Sequence, residues 1–368
     1  MVTKRQKEER KMKKIGQEVS FLAPKENNPR NGEGDFLRLR DGTILYVYSG
    51  FVGASGSDDA ASDIRGIRST DEGKTWVEDR IVLQHDEGSV NYMCPSLMRM
   101  ANGDVGLFYL RKYLYMGGIS GDICLVRSAD EGKTWSAPAY VTDGKEYFVL
   151  ENDHVVRLKS GRIVVPLNLH SRLEDGILKR TGHGLMCMFA SDDDGVTWRE
   201  ISQRIDIPFP ELSQTGLQET MLYQSDDGSV RALSRTDMAF QYECVSYDEC
   251  ATWTQPKPNT FFSSPTSPLL MKRLGELTLA VFNPIPSYTG RDPAEPWGRT
   301  PFVLAVSRDD GRNFDKIFYL EDDPKNGYCY PAIFDGGDYI LIGYYHSNNS
   351  GCPLNSNKIL RIEKSELL

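Results

Sequence analysis

One eight-residue pattern, S-x-D-x-G-x-T-W, is spelled five times along this chain of 368 residues. Its first serines stand at 69, 128, 191, 246 and 307, so successive copies begin 59, 63, 55 and 61 residues apart. The copies Ser69 to Trp76, Ser128 to Trp135 and Ser191 to Trp198 are intact. In the fourth, Cys250 replaces the glycine; in the fifth, Asn313 and Phe314 replace the Thr and Trp. A motif returning about every 60 residues marks repeated structural units that bury their apolar faces against one another. Each motif residue suits a tight turn. Ser and Asp side chains bond backbone N–H groups, and Gly supplies a positive φ. The Trp anchors the turn in the core where the next strand starts, and four of the chain's five Trp residues sit here. The motif is read as structural, neither a calcium site nor a catalytic one.

A second register lies between these turns. A polar cluster, an apolar strand, a Gly-containing turn and another apolar strand recur six times, with clusters at 32–35, 91–95, 151–154, 218–220, 263–268 and 328–331. The strands are rich in Val, Ile, Leu and Tyr, with Gly and Pro between them. Four strands plus loops fill a unit of this length in a propeller blade. The expectation is an all-β chain, a six-bladed β-propeller over residues 21–368, with the motif turns between the third and fourth strands of the blades. The sixth unit has no such turn. Either its last hairpin is degenerate near Ser350-Gly351, or an N-terminal strand closes the ring.

Residues 1–14 hold seven basic and two acidic side chains, and 1–20 reads as a basic tail. No apolar run follows it of the length that an export signal or a membrane helix needs. The seven cysteines show no metal spacing, and their odd number favours a reducing cytoplasm. A net charge of −9 without a basic stripe argues against a nucleic-acid groove.

In a propeller the pre-strand clusters converge on the central axis, and the connections between second and third strands open on the same face. Ligand sites are concave with a few convergent polar groups. Residues at those places include Arg111, Asn152, His170 and His346 as well as the candidates that follow. Arg235 and Arg299, on different blades, can clamp a carboxylate through their planar guanidinium forks. Tyr330 with Glu219 can be a nucleophile and its base. Asp58 and Asp59, in the Gly/Ser/Ala/Asp-rich stretch 53–62, can supply a general acid. Glu33, Asp35, Asp153, His154 and His183 are further candidates for lining the pocket. No metal site and no cofactor is called for.

With these residues in place, the chain resembles the sialidase (neuraminidase) superfamily with its Asp-box repeats, over all six units. Gln218-Glu219 with Arg235, seven residues past the turn glycine Gly228, resembles the segment carrying the family's Glu and one Arg of its carboxylate-binding triad. Arg299, eight residues before Ser307, resembles another triad Arg. Tyr330-Pro331-Ala332-Ile333 resembles the segment that presents a nucleophilic Tyr. The family's first triad Arg falls on Gly32 here. Arg30, two residues upstream, is the candidate substitute, while Glu33 and Asp35 would repel a carboxylate. Asp58, Asp59 or Asp63 falls in the loop of the acid/base Asp. The resemblance implies an exo-acting glycosidase that releases a terminal acidic sugar by a retaining Tyr-nucleophile route. Its partner would be a glycoconjugate or oligosaccharide, with no nucleic acid and no membrane span. The alternatives are a glycosidase or lyase acting on a different sugar, and a non-catalytic carbohydrate-binding propeller.

Overall fold

The computed structural model describes residues 12–286, 298–347 and 354–368. Its strands form six antiparallel sheets arranged as the blades of a propeller. Blade one runs outward from Asn31–Arg38 through Ile44–Phe51 and Ser62–Ser69 to Val77–Leu83. Blades two, four and five repeat that up-and-down order from the inner strands Asn91–Arg99, Gln218–Gln224 and Leu270–Leu274. In blade three two short pieces, Phe148–Val149 and Val156–Arg157, share the inner position beside Ile163–Glu174.

The sixth blade settles the choice left by the sequence. Gln17–Leu22 pairs antiparallel with Ser356–Glu363 and supplies the fourth strand after Tyr328–Asp335 and Tyr339–His346. The ring is therefore closed by the N-terminal strand, and the tail boundary at residue 20 falls inside that strand. Ile15 is already buried in the core. Residues 1–11, and Ser350-Gly351, lie outside the described residues.

The five motif turns do lie between third and fourth strands, and their degenerate copies keep the geometry. In the first, Ser69 Oγ donates to Asp71 Oδ1 (2.8 Å) and accepts from the Gly73 N–H (2.9 Å). Asp71 accepts from the Thr75 N–H and hydroxyl at 2.9 and 2.7 Å. In the fourth turn the Cys250 N–H reaches Ser246 Oγ at 2.9 Å, although its φ of 75° is strained for a residue with a side chain. In the fifth, Asn313 donates its backbone and side-chain N–H groups to Asp309 at 2.8 and 2.7 Å, doing the work of the Thr. Phe314 stacks on Phe261 at 4.8 Å in place of the Trp. The turns also join blades: a Cβ at Gly73 would meet Leu341 of blade six at 2.8 Å. Between blades the strands bury continuous apolar clusters, one of which runs from Phe108 and Leu125 of blade two to Val165 and Leu167 of blade three.

Candidate active site

The inner strands carry the site because they are bulged. Register shifts fall between Asn31 and Gly34, Met93 and Ser96, Gln218 and Met221, and Cys329 and Ala332. A bulge inserts a residue and re-aims its side chain. Cys94, Glu219 and Tyr330 sit in these bulges with φ of 55°, 47° and 57°. Such left-handed backbone in large residues costs on the order of 1–3 kcal/mol each and clusters at functional sites. The re-aimed side chains enter a cavity of about 880 Å³ at one end of the axis.

Tyr330 Oη donates to Glu219 Oε1 at 2.8 Å, and Arg235 Nη1 reaches the same phenol oxygen at 3.3 Å while ion-pairing Glu219. Burial alone would push the Glu219 carboxyl up, but Arg235, Arg299 and the Tyr330 hydroxyl hold it below its ordinary value. Burial and the Glu219 charge raise the Tyr330 phenol well above its usual range, against Arg235 and Arg299. The resting pair is thus a neutral phenol on an ionised carboxylate. Glu219 Oε2 and Arg235 Nε have no hydrogen-bond partner among the described residues. Buried polar atoms left in that state ask for a ligand or water.

Arg30 lines the same cavity. Its Nε donates to Tyr345 Oη at 2.7 Å, and its guanidinium lies 5.1 Å from the Tyr345 ring. That ring packs edge-on to Tyr330 at 5.6 Å, and Arg299 lies 5.5 Å over the Tyr330 ring. Three guanidinium groups are therefore racked along two tyrosines. The same geometry accounts for Gly32. A Cβ at residue 32 would stand 2.3 Å from Tyr345 Oη, so Tyr345 occupies the space of any side chain there. Arg299 is held from below by the Thr266 carbonyl and the Cys329 sulfur, each at 3.1 Å.

Glu33 also lines the cavity, with Oε1 taking a hydrogen bond from Ser49 Oγ at 2.9 Å and facing the Cys94 N–H at 3.3 Å. Asp58 stands at the mouth, 2.5 Å from Arg30 Nη1. Six candidates stay out of the lining. Asp59 turns to Arg180, at 2.5 and 2.9 Å. Asp35 is spent on the Phe36 and Leu97 N–H groups, and Asp153 on Lys272 and the Ile333 N–H, so neither opposes a carboxylate in the cavity. His154 is buried, and His183 pairs with Asp206 at 2.6 Å. Asp63 is engaged by His85 at 2.6 Å, and Arg111 pairs with Asp86. Asn152 ties Gly34 to Pro331 across the axis, and His346 packs edge-on to Tyr328 and Phe21.

The sequence reading passed over Glu151, Lys112 and Arg180, which line the cavity with His170. Glu151 stood in the 151–154 cluster, one residue before those chosen. Burial, with Glu219 and Glu33 nearby, raises its carboxyl well above the ordinary range. For Lys112 the available signal was strand alternation, which sends it to the face opposite Arg111. Among the described residues no group of His, Cys, Asp and Glu is arranged to hold a metal ion.

Several solved structures share this architecture. A protein of unknown function from Dyadobacter fermentans is 18% identical, over 94% of this chain and 99% of that one, with a TM-score of 0.70. The leech intramolecular trans-sialidase, solved with 2,7-anhydro-Neu5Ac, is 15% identical over 96% of this chain and 70% of that one, TM-score 0.70. The intramolecular trans-sialidase of Ruminococcus gnavus, in complex with oseltamivir carboxylate, is 15% identical over 96% and 98%, TM-score 0.70. At these identities the likeness is one of fold: this is a sialidase-like propeller. Residues 28–346 match the BNR repeat-like domain. With that match spanning most of the propeller, the chain belongs to the BNR repeat-like domain family.

Proposed function

We propose that this protein is a glycoside hydrolase that releases a terminal acidic sugar, sialic acid or a relative, through a covalent intermediate on Tyr330. The observation that carries this reading is the 2.8 Å Tyr330–Glu219 hydrogen bond within a cavity also lined by Arg30, Arg235 and Arg299. A ketosidic sugar acid bears a carboxylate on its anomeric carbon. A carboxylate nucleophile would be repelled by it, whereas a neutral phenol that gives up its proton late is not. Sialidases with a Tyr nucleophile depart from the two-carboxylate scheme for this reason.

In this mechanism the three guanidinium groups bind the substrate carboxylate and hold the anomeric carbon over Tyr330 Oη. As the glycosidic bond breaks, Tyr330 Oη bonds to the anomeric carbon and its proton passes to Glu219. A first-blade Asp gives the leaving oxygen its proton. Water then attacks the anomeric carbon, the same Asp takes a proton from it, and Glu219 returns one to the departing tyrosine. Cationic surroundings stabilise the phenolate character that develops.

The test is turnover of a fluorogenic sialoside beside the matching glycoside whose carboxylate is an amide. The expected result is cleavage of the acid alone, and loss of at least about 10²-fold in the Tyr330→Phe and Glu219→Gln variants, the scale of general-base removal. Product analysis separates hydrolysis to the free acid from transfer to one of the sugar's own hydroxyls. Wild-type protein that cleaves the amide as fast as the acid, or no acidic ketoside at all, contradicts the proposal.

A further inference from the structure

The loop over residues 52–61 is pinned across the cavity mouth by donors from three blades. Arg30 Nη1, before the first strand of blade one, holds Asp58 Oδ1 at 2.5 Å and the Gly56 carbonyl at 3.0 Å. From blade two, Lys112 Nζ bonds the Asp58 carbonyl at 2.7 Å, and Asn91 Nδ2 bonds the Asp58 and Ala60 carbonyls at 2.8 Å each. From the long hairpin of blade three, Arg180 grips Asp59 with both terminal nitrogens, at 2.9 and 2.5 Å, while its guanidinium lies 5.4 Å from the Tyr147 ring. Two adjacent aspartates are thus drawn in different directions. Asp58 lines the cavity and Asp59 does not. Asp58 leans on one of the cations that the substrate carboxylate needs.

We propose that the substrate carboxylate displaces Asp58 from Arg30 and so arms Asp58 as the acid, while the Asp59–Arg180 pair is the latch that keeps the loop in place during the exchange. This rests on the glycosidase reading above. In the free protein the charged groups facing Asp58 are Arg30, Lys112 and Arg180, with Asp59 beside it and Glu33 and Tyr345 beyond Arg30. Asp58 is exposed at the mouth; what desolvation its neighbours impose opposes its charge, but Arg30 and Lys112 outweigh that and hold the carboxyl below its ordinary value. A carboxylate bound to Arg30 cancels the nearest cation and adds a negative charge, and both changes favour protonation. The proton comes from solvent on binding. It leaves Asp58 for the glycosidic oxygen, which keeps the electron pair of the broken bond. Lys112 and Arg180 do not touch the reacting atoms; Arg180 is a positioning residue.

Leaving-group dependence reads this out. A methylumbelliferyl ketoside departs with little help, whereas sialyllactose needs its leaving alkoxide protonated. Asp58→Asn is expected to lose about 10²-fold or more in kcat on sialyllactose and under about tenfold on the aryl substrate. Asp59→Asn and Arg180→Gln are each expected to lose about tenfold on sialyllactose and no more than about twofold on the aryl ketoside, from misplacement of the acid. The double variant should lose no more than either single one. Independently of turnover, calorimetric titration with a 2,3-dehydro sugar acid near pH 5, in buffers of different ionisation enthalpy, should show proton uptake by the wild type and none by Asp58→Asn. Equal losses on both substrates, a larger leaving-group effect for Asp59→Asn, or uptake unchanged in Asp58→Asn overturns the hand-over and leaves the glycosidase reading standing. Wild-type protein that cleaves neither substrate sinks both.

Discussion

At the scale of single residues the site is a contest between burial and charge, and His154 shows what burial does to a ring with one nitrogen unpaired. Its ring is buried, and Nδ1 has no hydrogen-bond partner among the described residues. Burial pushes the imidazole down to about 4, with Glu219 and a hydrogen bond to the Thr220 backbone opposing it and Lys272 adding to it. In the unfolded chain it titrates near the ordinary histidine value of about 6.5. Between those values the unfolded state binds more protons, so stability present above pH 6.5 is lost as pH falls toward 4. The loss at pH 5 is about 2 kcal/mol from this group. Urea titrations at pH 7 and pH 5 should show the wild type losing more stability between them than His154→Gln. Equal losses would mean that His154 is not buried in neutral form. The sequence marked His154 as a pocket residue; it is buried between the two short inner pieces of blade three and does not line the cavity.

At the scale of elements the sequence was most legible where local chemistry closes on itself. The motif turns could be read because Ser, Asp and Thr bond one another within eight residues, and the copies at Cys250 and Asn313 follow the same hydrogen-bond scheme. The aromatic ring that closes each turn does longer-range work. Trp198 of blade three meets Phe108 of blade two edge-on at 5.9 Å. Trp198→Ala should cost about 2–3 kcal/mol in a denaturant titration, below the value for a fully buried aromatic because the ring keeps some exposure. A change under about 0.5 kcal/mol, the scale of an ordinary surface substitution, would show that the turn is not an inter-blade anchor. The fine choice between neighbours on one strand was harder to read. Arg111 and Lys112 are adjacent, and only the pairing register decides which one faces the cavity.

At the scale of the whole molecule, closure is the feature that local reading left open. Pairing of Gln17–Leu22 with Ser356–Glu363 joins segments more than 300 residues apart in sequence. Removal of residues 1–22 should leave Ser356–Glu363 as an unpaired edge, a template for association. Light scattering and a thermal melt should show aggregation and a lower midpoint; a truncated chain as stable and monodisperse as the full one would contradict the closure. The catalytic candidates follow the same division. Tyr330, Glu219, Arg235 and Arg299 were legible because each holds a fixed place in the repeat. Arg30 was named as a substitute from its nearness to Gly32, but its entry into the cavity depends on Tyr345, brought beside Gly32 from the other end of the chain. Asp35 and Asp153 carried the right residue types at plausible places. Backbone N–H groups and Lys272 claim them, which only the folded axis reveals.

Whether Tyr330 forms a covalent bond to the sugar is decided by trapping. A 3-fluoro sialosyl fluoride keeps a good leaving group at the anomeric carbon, and its ring fluorine slows breakdown of any covalent intermediate. After incubation, quenching and proteolysis, mass spectrometry should find the fluorosugar on the peptide containing Tyr330, and no adduct in Tyr330→Phe. An adduct on Glu219, Glu33 or Glu151, or one that persists in Tyr330→Phe, would contradict the account.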